Sequence, residues 1–509
     1  MTIRDASGDR VLEQAALVRR IAQASSGLAS LGIGPGDSVA LMLRNDFPFI
    51  EASLAASAIG GYAVPMNWHY RGDEAGYILQ DCQAKVLVAH ADLLRQIRAD
   101  VRPGVTVLTV RTPPAVRRAY GIDAAAAEIP PGETDWETWL GGFQPWTAPA
   151  VQGPQSMIYT SGTTGRPKGV RRHPSTPEQQ AAMLAAFVKC FGVNPAMRTV
   201  ITGPMYHSAP NAYALYAARA GAEVILQPRF DAEELLQLIE RHRISHLHMV
   251  PTMFVRLLKL PEAVKRKYDL SSLRQVVHAA APCPPEVKQA MIEWWGPVIV
   301  EYYGATETGI VVYCDSAEWL AHPATVGRAL EGCEVKIVGD DGRELGTGHV
   351  GEIFVRNFGV SDFTYHGQDA KRQEIDREGL VSVGDVGYLD TDGFLYLCDR
   401  KRDMVISGGV NIYPAEIEAV LIGMPGVQDC AIFGIPDEEM GESLAAAIQP
   451  HAGTRLEADM VRGWLRQRIA GYKVPKLVEF HAELPREDSG KIFKRKLREP
   501  HWQNAGRRI

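Results

Sequence analysis

The sequence predicts an α/β fold. A large N-terminal domain of doubly wound α/β subdomains carries a small β subdomain, and a small α+β C-terminal domain follows. Three observations predict it. Apolar runs of strand length alternate with helical spacing through about residue 300, the pattern of parallel strands with helices on both faces. From about Thr325 the alternation yields to strands joined by tight turns, and beyond Arg400 helices and strands mix in a compact unit. Domains are therefore expected at 1–400, with the β subdomain at about 325–400, and at 401–509.

In chain order, 37–43 reads as a buried strand, 45–59 has helical spacing, and Tyr62–Pro65 and 84–89 are further strands. Residues 222–226 form another apolar run. Asp231 and Glu234 have the spacing of a capping box opening a helix through Arg243, after which 244–250 returns as a strand. Residues 334–338 and 352–355 read as antiparallel strands separated by the turn 339–342. In the last unit, Pro414–Ile422 and 456–470 are helix-like and 430–433 is strand-like. The alanines at 124–127 read as a surface connection.

Composition narrows the function classes. A chain of 509 residues with 46% hydrophobic and 22% charged residues is ordinary for a globular protein of several domains. A net charge of −6 argues against nucleic acid, whose phosphates call for a basic excess. The cysteines (Cys82, Cys190, Cys283, Cys314, Cys333, Cys398 and Cys430) never form a CxxC pair, which favours a reducing compartment over a disulfide framework or a zinc site. No apolar run approaches the ~20 residues of a membrane helix, and residues 1–20 lack the apolar core of a signal peptide. A cytoplasmic location is expected.

The chemistry is densest at 159–170, Tyr-Thr-Ser-Gly-Thr-Thr-Gly-Arg-Pro-Lys-Gly-Val. Gly162 and Gly165 free backbone N–H groups to face an anion. Thr160, Ser161, Thr163 and Thr164 add hydroxyl donors, and Lys168 adds a point charge. That is a polyphosphate clamp. It is not the Walker A loop, because only two residues separate Gly162 from Gly165 and glycine follows the lysine.

This loop resembles the phosphate loop of the adenylate-forming superfamily, which contains acyl-CoA synthetases, adenylation domains of peptide synthetases and beetle luciferases. Five motifs in matching order extend the resemblance from roughly residue 30 to 498, and it is strongest to AMP-forming acyl-CoA synthetases of the fatty acid–CoA ligase branch. The similarity also takes in 4-coumarate– and benzoate–CoA ligases. It implies ATP, Mg2+ and coenzyme A as small-molecule partners alongside a carboxylic acid, and a homodimer as the customary assembly.

Residue by residue, the segment 301–309 (Glu-Tyr-Tyr-Gly-Ala-Thr-Glu-Thr-Gly) resembles the second signature and follows the apolar strand 297–300. By that match Glu301, Tyr302, Tyr303 and Gly304 line the nucleotide, with Tyr303 stacking on adenine. Thr306 bonds the α-phosphate and Glu307 holds Mg2+, for which a carboxylate is the hard ligand. Ala279, Ala280 and Ala281 match the adenine-lining segment. His207, within 204–210, matches a gate and orienting donor beside the substrate carboxylate, although a lone histidine is as readily structural. Asp385 and Arg400 match the ribose ligands. The hinge falls near residue 401, where Arg402 departs from the acidic residue of many relatives. Ser407, Gly408 and Gly409 match a loop lining the pantetheine tunnel, and Lys491 matches the lysine that bridges carboxylate and α-phosphate.

The resemblance implies that Lys491 and the Gly408–Gly409 loop serve different half-reactions of a mobile C-terminal domain, adenylate formation and thiol attack. The expected acyl pocket is Ser208, Ala209, Pro210, Asn211, Met253, Tyr302, Gly304, Gly309 and Ile310, without an ionisable partner for a second charge. A hydrophobic monocarboxylic acid is expected, with medium- or long-chain fatty acids ahead of aryl or steroid side-chain acids. A luciferase-like oxidation and the loading of a carrier protein in trans are the alternatives.

Overall fold

The computed structural model describes residues 2–149, 151, 153–160, 166–486 and 492–503. Two sheets build the N-terminal domain. In the first, Ser38–Met42 lies between Tyr62–Pro65 and Ala84–His90, with Thr106–Val110 and Thr134–Asp135 beyond, all parallel. The second has a parallel centre running Glu223–Leu226, Arg198–Ile201, His246–Met249, Gln275–His278 and Ile299–Ala305. Antiparallel strands close its margins, Val11–Glu13 at one and Gly309–Cys314 with Arg328–Ala329 at the other.

Both faces of each sheet are covered, which is why the strands are unbroken apolar runs rather than alternating ones. Helices Gln14–Ser30, Phe47–Ala58 and Ser208–Ala220 fill the space between the sheets, where Leu17, Phe49 and Tyr213 share a core with Leu41 and Val224. The outer faces have their own cores, around Leu235, Phe254 and Met291 on one side and Ile78, Leu79 and Leu94 on the other. This is the doubly wound arrangement. Buried charges pin it: Arg44 grips Asp92 with two bonds of 3.0 and 2.9 Å, and Thr112 adds a third at 2.6 Å.

The β subdomain pairs Cys333–Val338 antiparallel with Gly351–Asn357, then adds Asp385–Leu389 and Leu395–Arg400. Its core includes Val311 and Val312 from the second sheet, so the two are packed as one body. A separate three-stranded sheet joins Ile158–Thr160, Lys168–Arg172 and Phe363–Tyr365. In the C-terminal domain a long hairpin, Val427–Asp437 with Gly441–Pro450, carries helices Pro414–Ile422 and Ala458–Arg466. Lys259, just past helix Pro251–Leu258, reaches across to it and donates to the Gln428 carbonyl at 2.6 Å and the Val427 carbonyl at 3.4 Å. Among the described residues no helix is long and apolar enough to cross a membrane. The seven cysteines are free thiols.

Four sequence expectations need correction or sharpening. Asp231 caps helix Ala232–His242, but Gln227 takes the Glu234 carboxylate at 2.6 Å, so only half the capping box forms. The surface connection at 124–127 is a helical turn, with Ala124 and Ala125 exposed and Ala127 buried. The strand expected at 430–433 runs Val427–Asp437, because its partner pairs along the whole length. The strand before the 301–309 motif does not stop at Val300 but continues through Ala305.

Candidate active site

A cavity of about 1160 Å3 lies between the second sheet, the three-stranded sheet and the β subdomain. Thr160, Lys168, His207, Ala280, Ala281, Tyr302, Gly304, Thr306, Glu307, Asp385 and Arg400 all lie on its wall, and so does Arg402. Ser161, Gly162, Thr163, Thr164, Gly165 and Lys491 fall outside the described residues. In the register of the strands flanking the glycine-rich segment, Thr160 stands opposite Lys168. Burial, then repulsion from Lys371, lowers the Lys168 pKa.

Thr306 and Glu307 sit in the turn between antiparallel strands Ile299–Ala305 and Gly309–Cys314. The turn is tight. A Cβ on Gly304 would lie 2.0 Å from the Gly309 carbonyl oxygen, and the Ala305 N–H donates to Thr308 Oγ1 at 2.9 Å. Arg172, 7% exposed, locks it from below. Its guanidinium donates to the carbonyls of Thr306 and Glu307, each at 2.9 Å, and to that of Ser361 at 2.8 Å. Burial against these neutral acceptors lowers its pKa to about 10. The Tyr365 hydroxyl donates to Glu307 Oε1 at 3.0 Å, and Lys168 Nζ lies 4.9 Å from the centre of the same ring. Burial, then the Glu307 charge, raises the Tyr365 pKa. Arg172 carries no sequence signal beyond its nearness to Lys168 along the chain, and Tyr365, far from every motif, carries none.

His207 precedes helix Ser208–Ala220, on a loop fixed by two asparagines. Asn45 accepts from the Met205 N–H at 2.9 Å and donates to the Gly203 carbonyl at 2.9 Å, while Asn211 donates to the Met205 carbonyl at 3.0 Å. At the end of strand Gln275–His278, Ala280 takes a left-handed φ of +71°, a conformation a side chain disfavours. Asp385 accepts from the Tyr303 hydroxyl at 2.8 Å and lies 3.4 Å from Arg400 Nε.

Four expectations meet a different arrangement. Glu301 is off the wall, accepting from the fully buried Lys288 at 2.6 Å with His278 Nε2 at 3.5 Å; burial raises its pKa against the pull of Lys288. Strand alternation turns it away from the cavity that Tyr302 faces. Tyr303 likewise reaches the site through its bond to Asp385 rather than from the wall, and Ala279 is packed in the core. Asn211 supports the His207 loop instead of lining the acyl pocket. In the C-terminal domain, Gly408 and Gly409 make the turn between strands Val405–Ser407 and Val410–Ile412, with Ser407 opposite Val410, and none of the three is on the cavity wall. Gly408 and Gly409 have φ of +56° and +80°, which is what that turn demands of them.

From the His207 side the cavity continues into an apolar wing bounded by Met183, Phe187, Ala209, Met253 and Ile310. Its floor is aromatic. Phe187 stacks on Phe191 at 5.1 Å, Phe191 meets the Tyr302 ring edge-on at 5.6 Å, and the Tyr302 hydroxyl is 3.4 Å from His248 Nε2. Burial lowers the His248 pKa to about 4, so the imidazole is neutral.

A polar chamber of hydroxyls, lysine and carboxylate joined to an apolar wing is suited to bringing a polyphosphate against an organic acid. The comparisons agree. Residues 7–362 match the AMP-binding enzyme family and residues 416–491 its C-terminal domain. A feruloyl-CoA synthase of Amycolatopsis sp is 34% identical over 498 residues, covering 96% of this chain and 94% of its own. The long-chain-fatty-acid–CoA ligase FadD13 of Mycobacterium tuberculosis is 32% identical over 489 residues, covering 93% and 90%. Among solved structures, ATP-bound MatB from Rhodopseudomonas palustris superposes with a TM-score of 0.84 at 27% identity, covering 99% of this chain and 96% of that one. The chain belongs to the AMP-binding enzyme family, in its acyl-CoA synthetase branch, and is an acid–thiol ligase.

Proposed function

We propose that the protein joins a hydrophobic monocarboxylic acid to coenzyme A through an acyl-adenylate, releasing AMP and pyrophosphate. One observation carries this reading: Thr160, Lys168, Thr306 and Glu307 share a cavity with His207 and an apolar wing. A carboxylate oxygen attacks the α-phosphorus, and the bond to the departing pyrophosphate breaks. The CoA sulfur then attacks the acyl carbonyl, and the bond to AMP breaks. Thr160 and Thr306 donate to phosphate oxygens, Lys168 offsets their charge, and His207 orients the acid. Asp385 and Arg400 hold the ribose. Glu307, a hard donor on the wall with one oxygen held by Tyr365, fits a Mg2+ ion. Bound there, Mg2+ would spread the negative charge of the triphosphate.

We place the domain boundary at 400/401 and assign Lys491 to the first half-reaction and the Ser407–Gly409 turn to the second, with the C-terminal domain moving between them. For the acid, the aromatic floor of Phe187, Phe191 and Tyr302 favours a compact aryl acid over the medium- or long-chain fatty acid that the sequence puts first. A panel of aryl and alkyl acids in a pyrophosphate-release assay, with and without CoA, tests both levels. Ferulate-sized acids should exceed palmitate in kcat/KM; the reverse order removes the aryl refinement. Silence with every acid removes the ligase reading.

A further inference from the structure

The strand Phe363–Tyr365 lies outside every motif that the sequence offers, yet it faces the cavity. Tyr365 pairs with Val170 and Phe363 with Arg172 in the register, so Lys168, Val170, Arg172, Phe363 and Tyr365 share one face of the three-stranded sheet. The Tyr365 ring packs with Val170, Phe363 and Val381, a role that phenylalanine would fill equally. The hydroxyl adds one thing, its 3.0 Å bond to Glu307 Oε1. The ring face adds another, the Lys168 ammonium at 4.9 Å.

We infer that Tyr365 is a positioning residue for ATP activation: its hydroxyl aims the Glu307 carboxylate and its ring supports Lys168, so one side chain sets the metal-ligand candidate and the phosphate cation together. Arg172 on the same face fixes the main chain beneath Glu307, and among the described residues Tyr365 bonds its carboxylate. The assignment rests on the ATP-dependent reading above.

Titration calorimetry of ATP with the full-length protein, in excess Mg2+ and in EDTA, tests it. Tyr365→Phe keeps the ring and removes the hydroxyl. Its ATP affinity in Mg2+ should fall about tenfold, the size of one hydrogen bond to a charged group, while affinity in EDTA stays within about twofold. Tyr365→Leu, which also removes the ring under Lys168, should weaken the EDTA affinity too. Half-saturating free Mg2+ in pyrophosphate release should rise for Tyr365→Phe. Equal losses in Mg2+ and EDTA for Tyr365→Phe would reduce Tyr365 to a packing residue, and an unchanged Mg2+ increment would overturn the assignment. A wild-type protein that binds no ATP in either buffer would remove the underlying reading, a distinct result.

Discussion

Gly304 and Asp92 illustrate how much single residues decide. A Cβ at position 304 would meet a main-chain oxygen, which cannot swing aside as a flexible side chain could. Gly304→Ala must therefore open the strand pair and displace Thr306 and Glu307. The expected loss in kcat/KM for ATP is on the order of 10²-fold, the effect of misplacing reacting groups by about 1 Å; steady-state kinetics check it. Asp92 is held low: burial alone would raise its pKa, but the Arg44 pair outweighs that. Because the folded value is depressed, the pair's stabilisation is complete above the unfolded value near 4 and is lost as pH falls through the folded value. Asp92→Asn should thus cost about 3 kcal/mol at pH 7. Urea titrations should show the gap to wild type narrowing as the medium is acidified below that range.

At the scale of elements, strands buried on both faces announce themselves, as Val39 to Met42 do with no exposed residue. Helix Ala232–His242 was legible from its cap, and Asp231→Ala should weaken it by about 1 kcal/mol. Hydrogen exchange should then quicken at the Glu234 amide, which donates to Asp231 at 2.8 Å. The cavity wall was legible wherever glycines, hydroxyls and charges cluster locally, as at Thr160, Lys168, Thr306 and Glu307. Long-range partners were not. Arg172 binds carbonyls more than a hundred residues along the chain, and a carbonyl has no residue identity for a sequence to display. Glu301 was misread by its neighbours: it sits within a nucleotide motif, yet its partner is a lysine fully buried in a helix, a placement that composition argues against.

For the whole molecule, the proposed cycle separates two half-reactions between faces of one small domain. Lys491→Ala is expected to slow adenylate formation by on the order of 10²–10³-fold, the loss of one charge-stabilising donor. Acyl transfer from supplied acyl-AMP to CoA should survive it. Single-turnover assays of each step decide, and equal losses would unseat the division of labour.

The grip of Lys259 on the hairpin Val427–Pro450 bears on how such a rotation is released. Its acceptors are peptide oxygens, which neither titrate nor change when side chains across the joint are substituted. Acid cannot discharge them, and no mutation at Val427 or Gln428 removes them. The Lys259 tie is consequently set from the lysine end and by the nearby Asp429 charge. It stands beside two carboxylate ties across the same joint, from the Ala415 N–H to Asp399 and from Lys401 to Glu352. Chemical capping of the Lys259 amine would loosen its share of the joint.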